Sequence, residues 1–400
     1  MNMQIKAPKA FAQRRQLGEI LEFRNEIIHP KDNPSGKATF VGLEHIERDT
    51  GVRIGSMQIE LSKMTGRRAR FQSGDIVYGY LRPYLNKVWI AEFDGICSVD
   101  QYVFTVNSRH DRNYVAHFLR SSEFLKTAPI DSAPGQLPRI RSGEIAATLI
   151  PIPSLDEQRR IAEILDKADA LRGKHKRALE LIDGLKQATF LDIFGDPAAN
   201  PRNYPLVAFG DIAEKISDGP FGSNLKSSHY TPEGIRVIRL QNIGSDDFID
   251  KDRAFISQEH FKILSKHECL PGDILIGTLG EPNLRACIQP AWISRALNKA
   301  DCVQMRADPN KAIREYVVTL INQPSVEAMA HSSIMGQTRA RISMGRFRDL
   351  YVPIAPLEKQ KRFGEIYRKL KADRMKLQAA AKSLDALFSS LQHYAFSGQL

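Results

Sequence analysis

Mostly apolar residues recur at steps of three and four along two stretches of the chain. In the first they are Ile161, Ile164, Ala168, Leu171, His175, Ala178, Ile182, Leu185 and Thr189. In the second they are Phe363, Ile366, Leu370, Asp373, Leu377, Ala380, Leu384, Leu387 and Leu391. Such spacing gathers one stripe on a helix, and its persistence over several heptads predicts two long helices that pair as a coiled coil. Ser154 followed by Glu157 is a capping-box pattern at the first start. Gly195-Asp196-Pro197 and then Asn200-Pro201 supply the stop. At 1.5 Å per residue, ~37 residues make a rod of roughly 55 Å. His175 and Asp373 interrupt the stripes. They either fix register as buried polar groups or sit solvated where the helices splay.

The stretches between are mixed α/β. Short β-branched and aromatic runs predict strands at Lys87–Phe93, Gln101–Val106, Arg236–Leu240, Ile274–Gly277 and Cys302–Met305. Helices are predicted at Asn113–Lys126 and Ala312–Asn322.

The chain is also written twice. Pro151-Ile-Pro-Ser-Leu-Asp-Glu-Gln158 returns as Pro353-Ile-Ala-Pro-Leu-Glu-Lys-Gln360. Gly74-Asp75-Ile76 returns as Gly272-Asp273-Ile274, and Gly135-Gln136 with Arg139-Ile140 returns as Gly336-Gln337 with Arg341-Ile342. The order is kept, so the duplicated unit is a globular segment followed by a helix. The expected layout is 1–150 and 198–352 globular, with 151–197 and 353–400 helical. Two such units in one chain pack with pseudo-two-fold symmetry, like a homodimer made covalent.

Composition narrows the picture. The net charge of +11 favours a polyanionic partner. Residues 1–150 carry 21 basic against 16 acidic side chains and residues 356–400 carry 9 against 4, so the excess is spread and not held in a tail. No apolar run reaches the ~18–20 residues of a membrane span, and the polar start has no signal-peptide character. A cytoplasmic protein with no membrane role is expected. The four cysteines, Cys97, Cys269, Cys287 and Cys302, form no zinc or disulfide pattern. His260, His267 and Cys269 lie close together without metal-ligand spacing. No phosphate-binding Walker loop, nucleophile elbow or zinc-protease helix occurs, nor the Asn/Asp-Pro-Pro-aromatic tetrad of an amino-methyltransferase. No catalytic residue and no bound metal is expected. The loop Asp218-Gly-Pro-Phe-Gly-Ser-Asn-Leu-Lys226 is either a phosphate or base contact or a plain Gly-Pro turn.

These residues resemble the specificity subunit of type I restriction–modification systems. Four passages carry the resemblance. Pro151 to Ala162 with its long helix resembles the central conserved region, and Pro353 to Leu400 resembles the distal one. Gly74 to Lys87 is similar to the central motif of a target recognition domain. Asp218 to Lys226, with Val237 to Asn242, is similar to the start of a second. Lys359 departs from the acidic residue expected beside Gln360, which touches only a helix start.

The resemblance implies two α+β target recognition domains, each reading one half of a split, asymmetric site in double-stranded DNA. It implies that the paired helices, through Ile161, Ile164, Leu171, Ile182, Leu185, Ile366, Leu370, Leu377, Leu384 and Leu387, set the spacer. It also implies two methyltransferase subunits, and two restriction subunits in a full complex. S-adenosylmethionine, ATP and Mg would then sit on those partners and no cofactor on this chain. Within that frame, arginine and lysine suit guanine, and asparagine and glutamine suit adenine. The candidate contacts are Arg67, Arg68, Arg82, Lys87, Gln136 and Arg139 in the first domain. In the second they are Asn224, Lys226, Arg239, Gln241, Gln337, Arg339 and Arg341. The alternatives are a specificity subunit of a related restriction–methylation or phage-exclusion system, a coiled-coil adaptor that does not read DNA, or an enzyme with degenerate motifs.

Overall fold

The computed structural model describes residues 13–128, 130–131, 136–331 and 341–400. It divides into two compact units. One comprises residues 1–178 with 377–400, the other residues 179–376. The two long helices, Leu155–Phe194 and Leu357–Ser397, each begin in one unit and end in the other. Each unit therefore owns one globular domain, the start of that domain's helix and the end of the other helix. The helical regions are shared by both units and are not separate bodies.

In the first unit, Arg14–Gln16 pairs antiparallel with Leu149–Pro151, just before the long helix. A four-stranded antiparallel sheet has the spatial order Leu21–Phe23, Gln101–Val106, Ile76–Gly79, Val88–Ile90. A five-stranded sheet runs Ile27–Ile28, Arg68–Phe71, Gly95–Ser98, Lys37–Val41, Met57–Glu60, with Lys37–Val41 and Gly95–Ser98 parallel. Ile76, Tyr78 and Phe104 of the first sheet pack with Tyr114 and Phe118, and with Ile161 and Leu165 of the first long helix. Phe388 and Phe396 of the second long helix complete this core.

The second unit repeats the plan. Leu206–Ala208 pairs with Tyr351–Pro353. Ala213–Asp218, Cys302–Ala307, Ile274–Gly277 and Arg285–Ile288 make the four-stranded sheet. A five-stranded sheet contains the parallel pair Ile235–Ile238 and Ala296–Asn298. Here Phe190 and Phe194 close the core against Tyr316 and Phe363.

The repeated motifs have physical causes. Gly74 and Gly272 both sit at φ +91°, a conformation open to glycine at low cost. The aspartate that follows is buried, and its carboxylate is neutralised by an arginine in or just past a neighbouring strand. Asp75 meets Arg24 at 2.7 Å and Asp273 meets Arg306 at 2.8 Å. The isoleucine after it enters the core sheet. Gln158 and Gln360 are buried linkers at the helix starts. Gln158 accepts from the Asp111 N–H at 3.0 Å and donates to the Pro153 carbonyl at 2.9 Å. Gln360 accepts from the Ile313 N–H at 2.8 Å and donates to the Ala355 carbonyl at 2.7 Å. The hydroxyls of Tyr114 and Tyr316 each donate to a proline carbonyl, Pro151 and Pro353, at 2.8 Å.

Three expectations need correction. The helix expected over Asn113–Lys126 is two helices, Arg112–Leu119 and Ser122–Thr127. Ser121 causes the break, accepting from the Phe124 N–H at 3.1 Å as an N-cap. Second, the heptad stripe is not one buried seam. Leu171, Leu185 and Leu387 are 43%, 53% and 52% exposed. Ile164, Ile182, Ile366, Leu370, Leu377 and Leu384 are half-buried, and Ile161 is buried. Full burial falls at the helix ends, where aromatic residues dock on the globular domains. Periodicity reports that residues share a face and does not report what covers it. Third, the polar seam residues part ways. Asp373 is held by Lys376 on its own helix at 3.4 Å, and the half-buried His175 leaves Nδ1 without a partner among the described residues. Asp373 fits the solvated alternative, not a buried register key.

Candidate nucleic-acid interface

The four-stranded sheet of each unit ends in a polar corner. In the first unit, the strand Ile76–Gly79 runs into Tyr80-Leu81-Arg82. Backbone bonds tie this loop to residues 138–140. The Arg82 N–H donates to the Pro138 carbonyl at 2.7 Å and the Ile140 N–H to the Tyr80 carbonyl at 3.2 Å. Leu81 and Arg139 form an isolated bridge. These bonds bring Arg82, Gln136 and Arg139 to one edge, although more than fifty residues separate Arg82 from Gln136. Arg82 has φ +50° and Arg82 and Gln136 are exposed. Tyr80 stacks on Tyr102 at 4.5 Å beneath the edge, and Tyr84 stands 50% exposed beside it. A guanidinium, an amide and a planar ring on one edge suit phosphate and base edges.

The corner of the second unit uses the same backbone scheme. The Thr278 N–H donates to the Asp301 carbonyl at 3.2 Å and the Ile342 N–H to the Thr278 carbonyl at 3.1 Å. Arg341 lies here, paired with Asp301 at 2.9 Å and set over the Phe221 ring at 5.3 Å. Phe221 brings the Asp218 to Lys226 loop to the same corner. The loop can approach because Gly219 has no side chain: a Cβ there would lie 2.0 Å from the Lys299 carbonyl carbon. The side chains of Ser223, Asn224 and Lys226 are exposed, and the Asn224 carbonyl faces His260 Nε2 at 3.0 Å. Lys299, above the Tyr230 ring at 5.8 Å, adds a cation that the sequence reading passed over.

Other candidates are placed elsewhere or are occupied. Arg67 is exposed, but Arg68 donates to the Arg67 carbonyl and lies over Phe40 at 5.1 Å. The Lys87 ammonium donates to the Leu43 carbonyl at 2.6 Å, bracing the two sheets of its domain. Arg239 and Gln241 both hold Asp252, Arg239 at 2.7 Å. Lys87, Arg239 and Gln241 therefore serve internal partners that no local pattern announces. Gln337 and Arg339 lie outside the described residues.

The cysteines are all buried, and burial pushes the thiols of Cys97, Cys287 and Cys302 up to about 12. His267 faces the Asp218 carbonyl and His260 the Asn224 carbonyl. No group of three His, Cys, Asp or Glu suited to a metal occurs among the described residues. None of the described helices is long and apolar enough to cross a membrane.

The fold and its two polar corners define a duplicated α+β scaffold with a candidate polyanion-reading edge on each copy. A family profile described as the type I restriction modification DNA specificity domain matches residues 12–181. The chain is similar to curated specificity subunits of type I restriction enzymes. It is 29% identical over 180 residues to the EcoDI subunit of Escherichia coli, covering 44% of this chain and 40% of the relative. It is 24% identical over 314 residues to the StySPI subunit of Salmonella potsdam, covering 72% and 65%. The matched regions thus span less than two thirds of these relatives.

Solved structures agree in fold over nearly the whole length. An S subunit of a type I restriction–modification system from M. genitalium superposes with TM-score 0.60 at 15% identity, covering 99% of this chain and 98% of the other. A chain from a study of complex assembly and conformational transition of a type I system gives TM-score 0.59 at 20% identity, covering 97% and 98%.

Proposed function

We propose that this chain is the DNA specificity subunit of a type I restriction–modification complex. The observation that carries the reading is the repeated corner. Arg139 and Arg341 occupy equivalent places, each just before an isoleucine whose N–H bonds the residue that follows a core strand. Two edges with the same backbone and different side chains are what two unlike half-sites require. Around Arg82, Gln136 and Arg139, the first edge offers guanidinium and amide groups. The second offers Arg341, Asn224 and Lys226. The long helices set the spacer between half-sites and dock two methyltransferase subunits, and two restriction subunits join in the full complex. S-adenosylmethionine, ATP and Mg belong to those partners. The chain supplies recognition without catalysis, and it works in the cytoplasm, where the DNA is.

Reconstitution tests the reading. The chain with its methyltransferase subunit and S-adenosylmethionine is expected to methylate adenine in one bipartite sequence, whereas the chain alone methylates and cleaves nothing. Methylation or cleavage by the pure chain would overturn it, as would a reconstituted complex that ignores sequence. Within it, Arg139→Ala and Arg341→Ala are each expected to cost about 1–3 kcal/mol of discrimination at one base pair of their half-site, read by methylation of single-mismatch sites.

A further inference from the structure

The repeat carries a charge pattern that the hydrophobic stripes hide. Arg172 and Asp183 lie eleven residues apart on the first long helix, and Arg374 and Asp385 lie eleven apart on the second. Eleven residues are close to three turns, so each pair shares one helix face. In the first unit, Arg172 Nε meets Asp385 Oδ1 at 2.8 Å. In the second unit, Arg374 Nε meets Asp183 Oδ1 at 2.8 Å. The repeat offset that carries Arg172 onto Arg374 also carries Asp183 onto Asp385. One contact type thus occurs twice, and both occurrences obey one antiparallel register: eleven residues up one helix is eleven down the other.

Both arginines are anchored for this role. Arg172 also bonds Asp169 at 2.9 Å and lies over the Phe388 ring at 4.4 Å, and its side chain is 21% exposed. Arg374 also meets Asp247 at 2.6 Å and is 23% exposed. Each guanidinium is thus held before it reaches across, so little further side-chain freedom is lost. A slip of one turn would set Arg172 against Ala381 or Ser389, and Asp183 against Leu370 or Gln378, losing both pairs. Aromatic residues hold the helix ends in the cores, but the apolar stripe opposes a mid-helix slip only weakly, because Leu171, Leu185 and Leu387 are exposed.

We propose that Arg172–Asp385 and Arg374–Asp183 form a duplicated charge clamp that fixes the register of the two long helices and thereby the number of base pairs between the half-sites. The assignment of a spacer rests on the specificity reading above, while the clamp itself does not. Flanking charges that choose register and orientation are a known use of ion pairs between helices. These four are positioning residues.

The test changes the aspartates, which leaves the arginine contacts with Asp169 and Asp247 in place. Asp183→Arg with Asp385→Arg sets like charges opposite each other, and Asp183→Glu with Asp385→Glu keeps the sign. With the full chain and its methyltransferase, the reversed variant is expected to methylate the same half-sites at spacers a base pair or two from the wild-type value. Its off-spacer signal should rise about tenfold, as two lost and reversed pairs predict. Amide hydrogen exchange of the mid-helix segments, read without DNA, should quicken by a similar factor, and the glutamate variant should match wild type in both readouts. A folded reversed variant with wild-type spacer and exchange would overturn the clamp, and so would a glutamate variant as perturbed as the reversed one. If wild type methylates no split site, the specificity reading fails, and exchange alone then decides the clamp.

Discussion

Phe396→Ala lowers the stability of the first unit by about 3–5 kcal/mol, the usual cost of emptying a large aromatic site. Phe396 is 2% exposed and lies on the last turn of the second long helix. Its ring is 5.5 Å from Tyr114 and 5.2 Å from Phe118, which face it from the first domain. Phe396 is followed in sequence by the turn at Gly398, so the local backbone is poorly placed to collapse into the space. The cavity would open beside Tyr114, whose hydroxyl holds the Pro151 carbonyl at the edge of the helix start. The two tryptophans separate the units. Trp89 is buried in the first and Trp292 is 63% exposed in the second. Denaturant unfolding followed at Trp89 is expected to shift to lower midpoint, with the transition of the second unit nearly unmoved. An equal shift of both units, or none, would show that Phe396 does not anchor this core.

Residues 1–197 expressed alone are expected to form a homodimer that, with methyltransferase subunits, modifies an inverted repeat of the first half-site. The first unit needs an aromatic residue from the far end of another helix. In the intact chain Phe396 fills that place on Tyr114, and Phe194 fills its counterpart on Tyr316 at 4.8 Å. Phe194 lies within the fragment and, by the repeat, stands where Phe396 stands in the second half. A second copy can therefore close each core. Arg172 and Asp183 are self-complementary in the same antiparallel sense, so the fragment also carries both halves of the clamp. In that register His175 would stand opposite Glu180 of the second copy, near the middle of the pairing. Light scattering at micromolar concentration reports the dimer and methylation mapping the palindrome. A folded fragment that stays monomeric with methyltransferase present would show that the halves are not interchangeable.

The duplication was legible in the sequence because it is carried by residues with fixed structural duties. Gly74 and Gly272 need positive φ, the buried Asp75 and Asp273 need a cation, and Gln158 and Gln360 join two helix starts. The strands Gln101–Val106 and Ile274–Gly277 were legible because their β-branched and aromatic runs are sharply bounded. What was not legible depends on partners remote in the chain. Lys87 finds the Leu43 carbonyl, and Arg239 and Gln241 converge on Asp252. A basic residue chosen by type alone cannot be told from one already spent on such a contact. The exposed leucines of the long helices teach the same lesson for apolar residues. The pairing of Arg172 with Asp385 across 213 residues had no local signal, yet it is visible as a spacing once both repeats are aligned.

The central claim is that each domain reads one half of a split site while the helices set the distance. Methylation mapping of a host carrying the chain tests it, beside a host whose chain has four residues inserted after Arg177 and four after Ala379. The insertion adds ~6 Å to each helix, against ~3.4 Å per base pair of duplex. The account predicts one asymmetric split sequence for wild type, and for the longer chain the same two halves with a spacer about one to two base pairs longer. An unsplit site, or an unchanged spacer in a folded and active longer chain, would contradict it.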